Sequence, residues 1–353
     1  MQNYLHVDDY RTPCRSSRGG MAMEACTNKW IAYFFTPGGK ICFDTFIAIS
    51  CWFLVDQTFK TERFLKMWLE VFFYSVGTMV VAALLGSTFG GFEWFGACLP
   101  ITGAVQGYAQ TYLAFYLMLP LLTKLSNGMN KNQNIFVIIV MTFFVFLFRF
   151  ISNIIWSEQS IYCRLILFVY IYFLMRYAKK YPLKWQDNAA LMLIVFAVGY
   201  GLLYVYYVCT VQYPEWTGWK WLTILVIDEG GILFMITGLA FFFFFKSIRM
   251  SQIKWINTLA ASSFAVILIH DGHFFRGWTW SLLKTTEWYY SDFYFVRIIL
   301  CEILIYLVCT VIDYVRKYAL EKPIFKIKAI KTFCGKCDAL IADNQEELLH
   351  EGI

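Results

Sequence analysis

The feature that most constrains this chain is the length and purity of its apolar runs. Residues 135–148 read IFVIIVMTFFVFLF and residues 238–245 read GLAFFFFF. Such runs suit only a helix that is buried or faces lipid. Composition agrees: of 353 residues, 59% are hydrophobic and only 15% charged, whereas a soluble domain carries about a quarter charged residues. The expected fold class is all-α, a polytopic transmembrane helical bundle. The net charge of +6 is no nucleic-acid signal, because the basic residues sit in short loops between apolar stretches, where they report topology.

Nine stretches are candidate spans: 41–55, 64–86, 108–123, 135–151, 161–177, 190–211, 224–245, 257–274 and 293–315. The Pro37-Gly38-Gly39 triplet breaks the chain before the first of them, and Pro120 is expected near the end of the third, where a lost N–H costs least. Alternate loops and the tail carry nineteen Lys and Arg, from Lys60 to Lys336, while the opposite loops hold only Lys220, Arg276 and Lys284. Positive charge favours the cytoplasmic side, so the C-terminus is expected inside. That count places residues 1–40 outside, although they carry Arg11, Arg15, Arg18, Lys29 and Lys40 and residues 1–20 hold no apolar core. A further helix before Met1 would resolve the conflict; so would a short stretch, 41–55 or 108–123, that does not cross. The regular loop alternation favours the first.

Cys42, Cys51, Cys163, Cys209, Cys301 and Cys309 lie in or beside apolar stretches, where they act as small hydrophobes. Cys334 and Cys337 form a single CxxC in the tail, and no further pair is spaced to complete a zinc site. No metal is expected.

Charges inside apolar stretches are costly and each needs a reason. ASSFAVILIHDGHFFRGW (261–278) is an apolar, small-residue helix tipped by His270, Asp271, His273 and Arg276. Asp44, Arg149, Arg164, Asp228 and Glu229 are placed toward the same outer face. A polar cavity there is one reading; plain interfacial residues and snorkelling anchors are the other. Arg297 and Glu302 could neutralise each other, and Asp313 with Arg316 reads as an i,i+3 pair at the inner end. Lys60, Arg63 and Lys66 form a basic foot under an aromatic helix, an anchor or a seat for a nucleotide phosphate. Trp278, Trp280, Trp288, Tyr289 and Tyr290 form an interfacial belt that could also stack on sugar rings.

Taken in order, GKICFDTFIAISCWFL, KTERFLKMWLEVFFYSVG, YAQTYLAFYLMLPLLTKL, INTLAASSFAVILIHDGHFFR and VIDYVRK resemble the acyltransferase family 3 membrane proteins, in particular the bacterial branch that modifies surface polysaccharides. The resemblance covers about residues 30–325. It implies about ten transmembrane helices in a bacterial cytoplasmic membrane. It also implies transfer of an acyl group, usually acetyl from acetyl-CoA, to a hydroxyl of a glycan or lipid-linked saccharide. RFLK (63–66) corresponds to the family's Arg-rich donor motif, with Lys66 where Arg is common, and LIH (268–270) to a motif of a late helix. ISCWFL (49–54) departs from the family's Ser-Gly-aromatic pattern at Cys51. The family's first helix carries an Arg and, some ten residues on, a catalytic His; this sequence has no such pair, so the resemblance points, like the charge count, to an absent first helix and to a chain inactive without it.

The resulting expectation has three parts: a polar segment 1–29 left from an outer loop, a transmembrane acyltransferase-like domain 30–318, and a cytoplasmic tail 319–353. Donor binding falls to Arg63, Lys66 and Lys60; His270, Asp44 and Arg276 line the reacting site, His270 in support. The partners are the acceptor glycan and membrane lipids. The alternative is a glycan or lipid transporter or flippase that uses the same charges without covalent chemistry, although two corresponding halves with broken helices are not evident.

Overall fold

The computed structural model describes residues 28–101, 107–148, 161–213, 231–248, 253–270, 272 and 287–350. Every regular element among them is helical. The principal helices are α1 (Gly38–Leu54), α2 (Thr61–Leu84), α3 (Gly107–Asn127), α4 (Lys131–Thr142), α5 (Ile161–Lys180), α6 (Ala189–Gln212), α7 (Ile232–Ser247), α8 (Ser263–His270), α9 (Tyr294–Arg316) and α10 (Lys328–His350). A helix lies on each of the nine apolar stretches. Three, Thr61–Leu84, Ala189–Cys209 and Tyr294–Ile324, are long and apolar enough to cross a membrane.

The chain divides into two compact units, residues 1–57 with 125–251 and residues 58–124 with 252–353. In the first, α6 packs on α7, α7 on α1, α1 on α5 and α5 on α4. Two glycines permit close approach. A Cβ on Gly238 of α7 would lie 2.9 Å from the Asp44 Cβ, 3.1 Å from the Ile41 carbonyl oxygen and 3.2 Å from the Thr45 nitrogen, and Thr45 Oγ1 donates across that contact to the Gly238 carbonyl at 3.1 Å. Gly199 of α6 makes similar room for Thr237. Small residues at helix contacts are how helices pack in lipid, where no hydrophobic effect drives them together. At one end of this unit Lys179 and Lys246 flank the Trp52 ring at 4.9 and 4.7 Å. Lys179 pairs with Asp56 and Lys246 with Asp187.

In the second unit α8 packs on α9 and α2. Their shared core holds Val71 and Tyr74 of α2, Ala109 and Leu113 of α3, Ala265, Val266, Leu268 and Ile269 of α8, and Ile305 and Cys309 of α9. The outward face of α9 is the reverse of a soluble helix: Val311 is 63% exposed while Asp313 is fully buried. Ile194, Val198, Leu202 and Val205 of α6 are likewise exposed. Apolar side chains outside and charges inside suit a lipid surrounding.

Three expectations need amendment. Pro120 lies inside α3, which runs on to Asn127; apolar helices tolerate an internal proline where neighbours can serve the freed carbonyl. The stretch 135–151 is α-helical only to Thr142 and continues as a π-helix over Phe143–Phe148. The stretch 257–274 is not one helix, because it breaks at Ala261-Ser262 between Lys254–Ala260 and α8.

Candidate functional site

The basic foot of α2 begins with Lys60, whose extended backbone takes the N-cap position without a side-chain cap of its own. The missing cap comes from 277 residues away. Asp338 of α10 accepts the Thr61 N–H at 2.8 Å and the Thr61 hydroxyl at 2.6 Å on one carboxylate oxygen. An acceptor at a helix N-terminus satisfies donors the helix itself leaves open and is favoured by the helix dipole. Lys60 donates its own N–H to the Tyr116 hydroxyl at 3.3 Å. Lys60 and Arg63 are exposed. Lys66 pairs with Glu62 at 2.6 Å and lies 5.2 Å above the Phe325 ring. Three cations thus face two carboxylates, a smaller positive surplus than the sequence motif alone implies.

His270 closes α8. Its Nδ1 lies 2.6 Å from the Val266 carbonyl oxygen. A carbonyl can only accept, so Nδ1 carries the hydrogen, and in the neutral ring the free lone pair is on Nε2. A carbonyl one turn back in the helix therefore orients the imidazole and leaves its other nitrogen available as a base. At the opposite end of α8 the break is served by side chains of α9. Tyr306 donates to the Leu259 carbonyl at 2.9 Å and meets the Ser263 hydroxyl at 2.9 Å, and Lys317, just past the end of α9, donates to the Ala261 carbonyl at 2.8 Å. Irregular backbone in an apolar setting needs such partners.

The most developed polar cluster was not among the residues singled out for chemistry. Arg316 donates from Nε and Nη2 to one oxygen of Asp313, at 3.0 and 2.9 Å. Its Nη1 reaches Glu321 at 3.0 Å, and its Nη2 lies 3.4 Å from Glu70. The Tyr74 hydroxyl donates to Asp313 at 3.0 Å, and the Tyr74 ring lies 5.6 Å beneath the guanidinium. Lys317 pairs with the second Asp313 oxygen at 2.6 Å. The i,i+3 pair is present, within a network of three carboxylates and two cations that ties α2, the break before α8 and α9 together. One signal was readable: Glu70 is the lone carboxylate inside the α2 apolar run. Asp338 gave none, because nothing in a tail sequence pairs it with Thr61.

Asp44 is fully buried in α1 where Gly238 of α7 approaches. It belongs to the first unit, whereas Lys60, Arg63, Lys66 and His270 belong to the second. Arg276, with Asp271, His273, Arg149, Asp228 and Glu229, lies outside the described residues. Arg297 sits over the Trp288 ring at 5.5 Å, and Glu302, five positions on, is exposed; five residues turn a helix by about 140°, so the two do not face each other. Of the tail cysteines, Cys334 is buried, and burial, together with Glu62 and Asp338, pushes its thiol up from the ordinary range. Among the described residues no three or more His, Cys, Asp or Glu side chains gather as metal ligands would.

Comparison with models of known protein families, with curated proteins and with solved structures returns no match.

Proposed function

We propose that the chain is an integral-membrane O-acyltransferase that moves an acetyl group from acetyl-CoA to a hydroxyl of a cell-surface or exported glycan. One observation carries the reading beyond the ordered resemblance of the five sequence segments. The helix with the basic foot, α2, and the helix that ends in an oriented histidine, α8, share one core within one unit. The donor phosphates meet Lys60 and Arg63, the exposed cations of the foot, with Lys66 beside them. The acceptor proton passes to the catalytic His of the family's first helix, with His270 Nε2 in support beside it, as the hydroxyl oxygen attacks the thioester carbonyl. The C–O bond forms, the C–S bond breaks, and the thiol of coenzyme A leaves with the proton. The charge asymmetry of the loops supports nine crossings with the C-terminus cytoplasmic; the family resemblance supports a bacterial inner membrane. Asp44 and Arg276 belong to the acceptor side of this reading.

The test uses membranes holding this chain, alone and preceded by a helix carrying the family's Arg and His, incubated with labelled acetyl-CoA and glycan. Label on the glycan only in the form preceded by that helix is the expected result. Glycan movement into vesicles with no label transferred in either form would overturn the reading in favour of a transporter.

A further inference from the structure

Where α2 begins and α9 has just ended, the second unit carries an open groove of about 340 Å³. Leu65, Trp68 and Leu69 of α2 form one wall; Phe325, Ile330 and Phe333, from the connection into α10 and its first turns, form the other. Every lining side chain is apolar. Phe333 is 56% exposed and nearby Ile327 51% exposed, so the groove opens outward. Its depth is fixed by the chain. Leu65 lies in the second turn of a helix able to cross a membrane, and Ile324 is the last residue of another; the groove is therefore at a membrane rim.

Along its α10 side the charge is one-sided. Residues 322–336 contain five lysines, Lys322, Lys326, Lys328, Lys331 and Lys336, and no Asp or Glu. Lys326, Lys328, Lys331 and Lys336 are exposed, and the Lys66 ammonium already lies over the Phe325 ring that forms part of the wall. An apolar slot at the rim of a bilayer, edged along residues 322–336 by lysines alone and on the α2 side by Lys66 with its partner Glu62, fits a molecule with an alkyl chain and an anionic head. We propose that this groove holds one acyl chain of an anionic phospholipid, its headgroup phosphate on the lysines of residues 322–336. Because α10 also supplies Asp338 to the start of α2, a lipid seated here steadies the basic foot. The inference does not depend on acyl transfer.

The experiment uses the full chain in nanodiscs containing phosphatidylglycerol or phosphatidylcholine with a photoactivatable group on one acyl chain, and maps the labelled peptides. Phosphatidylglycerol is expected on peptides containing residues 65–69 and 324–333, in at least about tenfold excess over phosphatidylcholine, since each basic side chain near an anionic headgroup favours it about fivefold. Substituting Lys326→Glu, Lys328→Glu and Lys331→Glu together should remove that excess, and Ala329→Trp, which fills the slot from an exposed position, should lower labelling by both lipids there. Labelling of the lipid-exposed α6 should stay unchanged in both variants, which reports that they are folded and inserted. Equal labelling of the groove by the two lipids would overturn the proposal, as that is ordinary bilayer contact. So would unchanged selectivity in the triple variant, or label on α6 with none in the groove. Should a variant lose label everywhere, the ratio between the two lipids on the unaltered chain decides.

Discussion

Among the described residues two aspartates are fully buried, and they are buried in different ways. Asp44 lies where two helices of the first unit touch through a glycine, and backbone atoms of Ile41 and Thr45 crowd the contact. Asp313 in the second unit is gripped by Arg316, Lys317 and Tyr74, and its arginine is held in turn by Glu70 and Glu321. At Asp44 the fold depends on a missing side chain. At Asp313 it depends on charges taken out of water and compensated. The lesson is that a carboxylate in an apolar run says little until its neighbours are known: the one picked out for chemistry sits at a packing contact, and the one read as a plain ion pair anchors three helical segments.

The largest test of this contrast is Arg316→Met. It leaves three carboxylates around Lys317 alone, and breaking a buried pair from one side costs about 3–5 kcal/mol, which a fall in the unfolding midpoint in detergent would report. Gly238→Ala probes the other side. The added methyl cannot fit at 2.9 Å from the Asp44 Cβ without moving a helix, and overpacking of this kind costs about 1–3 kcal/mol; a loss near zero would mean α1 and α7 are looser than described. Tyr74→Phe keeps the ring under Arg316 but removes one donor to Asp313, for a loss of about 1 kcal/mol. Asp338→Ala removes the cap of α2 and should cost about 1 kcal/mol, with faster amide exchange confined to the first turn of α2 and to α10.

The helical elements were largely legible, because an apolar run leaves few alternatives and the break falls at Pro37, between helices Asn28–Phe35 and Gly38–Leu54, with Gly38 and Gly39 opening the second. The break at Ala261-Ser262 was not, since its small residues read equally as a close-packing surface. What settles it is Tyr306 and Lys317, more than forty residues away, which donate to the broken helix's free carbonyls. The basic foot was legible as three cations but not as a capped helix start, because Asp338 comes from the far end of the chain. His270 was legible as a polar tip; the hydrogen bond that leaves Nε2 open depends on the ring turning back onto the Val266 carbonyl, which a sequence does not give.

The most direct measurement is the kinetics of labelled acetyl transfer by the form that shows activity, comparing Arg63→Ala/Lys66→Ala with His270→Ala. The account predicts that the first raises KM for acetyl-CoA by about tenfold with little change in kcat, whereas the second lowers kcat by about a hundredfold with KM for acetyl-CoA unchanged. Transfer by both variants with unaltered kcat and KM would contradict the division of donor binding and support of proton removal between the two helices.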